Sequence, residues 1–80
     1  SAQFEFNNPL KADSVLPRVR ITPEPKNKDV PLVRVYEGDR VINLNPWALE
    51  PATQYTITLD KGIEDTFGQT LDNEVAISYK

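Results

Sequence analysis

Eighty residues with no cysteine, no histidine and a net charge of −3 allow one small domain and remove several chemistries at once. No thiolate is available as nucleophile or metal ligand, and the usual general base, metal ligand and pH switch is missing with histidine. The nine Lys and Arg are spread along the chain, which argues against a nucleic-acid groove, and no apolar run approaches the roughly 18 residues of a membrane span.

A chain of this length sits near the lower limit for a self-supporting core. The lack of cysteine does not fix its compartment, because many bacterial envelope domains manage without disulfides. No signal-peptide pattern is visible, and Ser1-Ala2-Gln3 reads as an expression scar or an arbitrary cut. The expectation is one domain over residues 1–80, excised from a larger multidomain protein.

Taken in chain order, the apolar residues alternate with a period of two. Phe4 and Phe6 share a face against Gln3, Glu5 and Asn7, and Val19 and Ile21 alternate with Arg18, Arg20 and Thr22. Val33 and Val35, then Ile42 and Leu44, flank Glu37-Gly38-Asp39-Arg40, a connection short enough for a hairpin. Tyr55, Ile57 and Leu59 alternate with Thr56, Thr58 and Asp60, and Val75, Ile77 and Tyr79 alternate with Ala76 and Ser78. Six short strands result, each half buried and half wet, as in antiparallel sheets with one face on a core. Asn8-Pro9, Pro23-Glu24-Pro25, Asn45-Pro46 and Glu50-Pro51 separate them, and seven prolines suit a loop-rich all-β fold.

Two segments can hold a single helical turn. One is Asp13 to Leu16, with Asp13 or Ser14 as N-cap. The other is Ile63 to Phe67, where a spacing of four puts both apolar side chains on one side. The expected core is the alternating set above together with Ile63, Phe67 and Leu71.

Asp65, with Glu64 beside it and Asp60 nearby, invites a calcium reading. Calcium takes about six to eight oxygens, usually from a dense set of carboxylates. These acids do not form an EF-hand loop, and Asp72 is separated from them by the Gly68 turn. The plainer expectation is that Asp65 caps the turn, with Gly68 in a left-handed conformation. Trp47, the only tryptophan, is expected to close one end of the core as a lid; exposed, it would serve to stack on a sugar or anchor a partner. Ser14 and Ser78 lack a histidine to activate them. No pair among the twelve acids stands out for glycosidase chemistry, so no catalytic, cofactor-binding or metal-binding residues are assigned.

The run Leu49-Glu50-Pro51-Ala52-Thr53-Gln54-Tyr55, leading into Thr56-Ile57-Thr58-Leu59, resembles the tyrosine corner of immunoglobulin-like and fibronectin type III sandwiches. There a tyrosine at the start of a strand bends back and its hydroxyl bonds the backbone a few residues upstream. The alternative for Tyr55 is an ordinary strand tyrosine facing the core. The phrases Phe6-Asn7-Asn8-Pro9-Leu10, Asp13-Ser14-Val15 and Gly62 to Leu71 extend the likeness to a bacterial Ig-like domain. Phe67-Gly68-Gln69-Thr70-Leu71 is similar to a phrase of the macroglobulin-like domains of bacterial alpha-2-macroglobulins.

This resemblance, spanning about Phe4 to Tyr79, implies an antiparallel immunoglobulin-like β-sandwich of six to seven strands. It implies a non-enzymatic spacer in a protease-trapping protein of the periplasm or cell surface. The partners it implies are neighbouring domains of the parent chain, and proteases reached through the parent. The thioester signature of macroglobulins needs a cysteine, so this segment does not carry it. The family usually has a further strand before the Phe4 position, and a sheet edge open to association is expected without it. The competing expectation is a carbohydrate- or protein-binding module of an adhesin or polysaccharide-degrading enzyme, with Trp47 or Tyr36 as contact. An exposed aromatic pair on one flat face favours that reading, and a buried Trp47 favours the spacer.

Overall fold

The computed structural model describes residues 3–80. Six strands form where the alternation places them: β1 (Gln3–Glu5), β2 (Val19–Thr22), β3 (Val33–Arg34), β4 (Val41–Leu44), β5 (Tyr55–Leu59) and β6 (Val75–Tyr79). They make two antiparallel sheets of three, ordered β1-β4-β3 and β2-β5-β6. Immunoglobulin-like sandwiches order their B, E and D strands, and their C, F and G strands, in the same way. The hairpin across residues 35–40 pairs Val33 with Leu44 and Arg34 with Asn43.

The period of two decides which side chains meet. In the first sheet Phe4 stands beside Ile42, and Val33 beside Leu44, all four buried. In the second, Ile21, Ile57 and Ile77 form one inward row, and Thr22, Thr56 and Ser78 one outward row. A one-residue slip in register would turn each apolar row to water. On the outward side Arg20 closes a fork on Asp60, with Nη2 to Oδ1 at 2.7 Å and Nε to Oδ2 at 3.0 Å, and reaches Glu74 at 3.2 Å.

Antiparallel pairing sends connections 6–18, 35–40 and 60–74 to one pole, and 23–32 and 45–54 to the other. The first pole is stitched by the amides of Leu10, Lys11 and Thr66, which donate to Asp39, Glu64 and Pro9 at 2.8, 2.9 and 2.9 Å. At the second, the Asn45 amide donates to Leu32 at 2.8 Å and the Asn27 amide to Ala48 at 3.2 Å.

Several expectations need correction. Phe67 is 71% exposed and Val75 40% exposed, so neither fills the core. Val75 does share the inward face with Leu59, but it is the first residue of β6, an edge strand. Ile77 and Tyr79 on the same strand are only half-buried, as are Phe6, Val19, Ile21, Val35 and Leu71. Leu10, Val15, Ala48 and Leu49, all in connections, are buried in their stead.

The first helical turn is displaced. Ala12–Ser14 and Leu16–Arg18 are two 3-10 turns, and the residue ahead of the first is Lys11, which makes no side-chain cap. Ile63 to Phe67 is not helical. Glu64 bridges to Thr70 and Asp65 to Leu10 in short antiparallel contacts. The position ahead of β1, where the family usually has a further strand, lies outside the described residues, among which β1 is a sheet edge.

Candidate functional site

The residues that carry polar chemistry are three turns and the exposed aromatics. The first turn is the corner before β5. Tyr55 is buried, and its hydroxyl accepts the Glu50 amide at 2.8 Å, five residues upstream. Between them Pro51 fixes one backbone angle, and Ala52 turns the chain through a φ of 56°. Leu49 packs into the core on one side of the bend. This is the tyrosine corner that the spacing predicts, on the strand that corresponds to F and just after the one that corresponds to E.

The second turn is built by Asp65. Its Oδ1 accepts the amides of Phe67 and Gln69, each at 2.9 Å, and its Oδ2 accepts the Asn8 side-chain amide at 2.9 Å. Gly68 sits at a φ of 88°, so the expected turn cap and left-handed glycine are both present. Burial pulls the Asp65 carboxyl up. The hydrogen bonds from Gln69, Asn8, Phe67 and Gly68 together outweigh that and hold it below the ordinary aspartate range.

The sign of the pH effect follows. A carboxyl with a depressed folded pKa contributes stability above the unfolded value of about 4 and loses it as pH falls through the folded one. Asp65→Asn should therefore flatten the fall in urea midpoint between about pH 5 and pH 2, relative to the native sequence. Parallel profiles for the two proteins would show that the carboxylate contributes nothing to acid stability.

The other acids named with Asp65 are engaged elsewhere. Asp60 is held by Arg20, whose hydrogen bond lowers its pKa, and Glu64 faces Lys11 at 3.4 Å. Among the described residues no three acids converge in a way that could hold a metal ion. Adding millimolar calcium should leave the melting temperature flat, since only a ligand of the native state raises it. A rise of several degrees would restore the calcium reading.

Ser14 has a structural use. Its buried hydroxyl donates to the Lys11 carbonyl at 2.8 Å and accepts the Glu64 amide at 2.9 Å, which ties connection 6–18 to connection 60–74. Ser78 is exposed on the outward face of β6. The third turn, Pro46–Ala48, is a 3-10 turn capped by buried Asn45. The Asn45 Oδ1 accepts the Trp47 amide at 3.2 Å, and its Nδ2 donates to the Pro31 carbonyl at 3.0 Å. Asparagine followed by proline is a helix-start signal as well as a breaker, and the cap was legible on that ground.

That cap decides where the tryptophan points. Ala48 and Leu49 turn inward and are buried, while Trp47 is 78% exposed, so it is not a lid on the core. Tyr36 is 72% exposed but belongs to connection 35–40, at the opposite pole. The two aromatics do not form a pair on one flat face. Neither arrangement named as a discriminator from the sequence is found.

Over residues 1–80 the sequence matches the family described as bacterial Ig-like domain. The chain belongs to that family. The sandwich order and the corner at Tyr55 agree with an Ig-like sandwich, and the bacterial Ig-like domain is a non-catalytic domain type. This Ig-like chain is 47% identical over 79 residues to a protein of Nostoc sp. strain PCC 7120 named Alpha-2-macroglobulin homolog. The match covers 99% of this chain and 4% of that relative, so the Ig-like domain spans a small part of the relative's length. No solved structure matches it with significance.

Proposed function

We propose that this domain is a non-enzymatic spacer in a larger bacterial envelope polypeptide of the alpha-2-macroglobulin kind, which holds neighbouring domains at a set distance and orientation. The observation that carries the reading is the use made of the polar side chains. Tyr55, Asp65, Ser14 and Asn45 all direct their hydrogen bonds to the protein's own turns, and so fix both poles of the sandwich. A module with rigid ends transmits position from one neighbour to the next. The identity to a stretch of an alpha-2-macroglobulin homolog supports the same role, and with it an extracytoplasmic location and a protease-trapping parent.

A recognition module is the second reading, and the exposure of Trp47 favours it. Titration of the folded domain with cell-wall and plant polysaccharides and with proteases, followed by the fluorescence of Trp47, separates the two. The spacer reading expects no saturable change. A saturable change, accompanied by a heat of binding in calorimetry that Trp47→Ala abolishes, would replace it with recognition.

A further inference from the structure

We infer that Trp47 is the anchor through which this domain docks against a folded domain contiguous with it in the same polypeptide. The inference rests on the spacer reading and says where the spacer is gripped. Gln3 pairs with Asn43 near the end of β4, and Tyr79 pairs with Tyr55 at the start of β5. Both outermost strand residues therefore lie at the pole of connection 45–54, which carries Trp47. Polypeptide that continues from either end leaves at that pole, on the side of the domain where Trp47 is exposed. The relative's length, of which the matching stretch is 4%, gives such neighbours room.

The geometry suits a docking anchor. Trp47 stands on a turn closed by the amides of Ala48 and Leu49, each 3.1 Å from its acceptor, and pinned beneath by Asn45. These hydrogen bonds are made within the domain itself, so less backbone freedom is left to lose on binding. Beside it runs an open cleft of about 260 Å³ lined by Lys26, Pro46, Trp47, Leu49 and Pro51. Lys26 is exposed and forms no ion pair with the described residues. The surface fits an apolar socket on the neighbour with a carboxylate at the side facing Lys26.

A sugar is a poorer fit. Sugar platforms set amides or carboxylates beside the aromatic ring to bond hydroxyl groups. The cleft lining offers a single cation and no amide or carboxylate side chain.

The test is hydroxyl-radical footprinting of the full polypeptide that contains this domain, with the rate at each aromatic normalised to the unfolded chain. Tyr36 and Phe67 serve as internal references, because their exposure in this domain nearly equals that of Trp47. The expected result is that Trp47 is labelled several-fold more slowly than either reference, and that a zero-length carbodiimide joins Lys26 to an acidic residue of the contiguous domain. Trp47→Ala should reduce that cross-link while the rates at Tyr36 and Phe67 stay unchanged. Labelling of Trp47 as fast as the references overturns the docking but leaves the spacer reading in place. A cross-link from Lys26 to a second copy of this domain overturns the docking in favour of self-association. Protection that appears only after polysaccharide is added overturns both the docking and the spacer reading.

Discussion

Ile57→Ala is expected to lower the stability of the domain by about 2–5 kcal/mol, the range for a large buried aliphatic cut back to its β-carbon. Ile57 is fully buried at the middle of β5, the central strand of its sheet, between Ile21 and Ile77. Both neighbours are held in register by backbone pairing, so the strands cannot close over the missing methyl groups. A domain of this size has roughly 4–12 kcal/mol of stability in all. No disulfide adds to it, because the sequence has no cysteine. One substitution therefore removes a large part of the total. Urea unfolding followed by far-ultraviolet circular dichroism measures the loss, and a change below about 1 kcal/mol would place Ile57 outside the core.

Tyr55→Phe is expected to cost about 1–3 kcal/mol. The ring stays and fills the same space, so the loss isolates the hydroxyl. That hydroxyl receives the Glu50 amide at 2.8 Å across the bend at Pro51 and Ala52. Without it the amide loses its partner, and the bend that delivers Leu49 to the core loses its tie. An unchanged urea midpoint would show that the corner is held by packing alone. Ala52→Gly is the natural companion, since it relaxes the positive φ while the hydroxyl bond remains.

Both residues were legible before the fold was known, and for physical reasons. A strand with one face on a core must alternate, and the alternation around Ile57 is unbroken from Tyr55 to Leu59. The Leu49 to Tyr55 spacing is one of few local patterns that fix a long side chain's hydrogen bond. Connections gave no such guide. Pro46-Trp47-Ala48-Leu49 has no period to show which side chain faces inward, and size suggested Trp47. The 3-10 turn capped by Asn45 buries Ala48 and Leu49 and leaves the indole in water.

Phe67 failed in a similar way. A spacing of four from Ile63 meant a shared face only on a helix, and Asp65 holds the amides of Phe67 and Gln69 in a tight turn. Val75 failed for a different reason. The alternation gives its inward face, but the pattern within a strand carries no information on which strand stands at the edge of a sheet. The polar ties of Asn8 and Ser14 join residues more than forty positions apart and left no local signature.

As a spacer, this domain works through its shape and its hold on its neighbours and not through a surface for an outside ligand. For the protease-trapping parent proposed above, the most direct measurement is protease capture by the full polypeptide in three forms: native, with residues 3–80 excised, and with Tyr36 and Phe67 both changed to Ala. Those two aromatics are exposed at the pole away from Trp47, and their replacement leaves the core untouched. The account predicts that capture is lost on excision and is equal to native in the doubly substituted form. Capture unaffected by excision, or lost in the doubly substituted form while it stays folded, would contradict it.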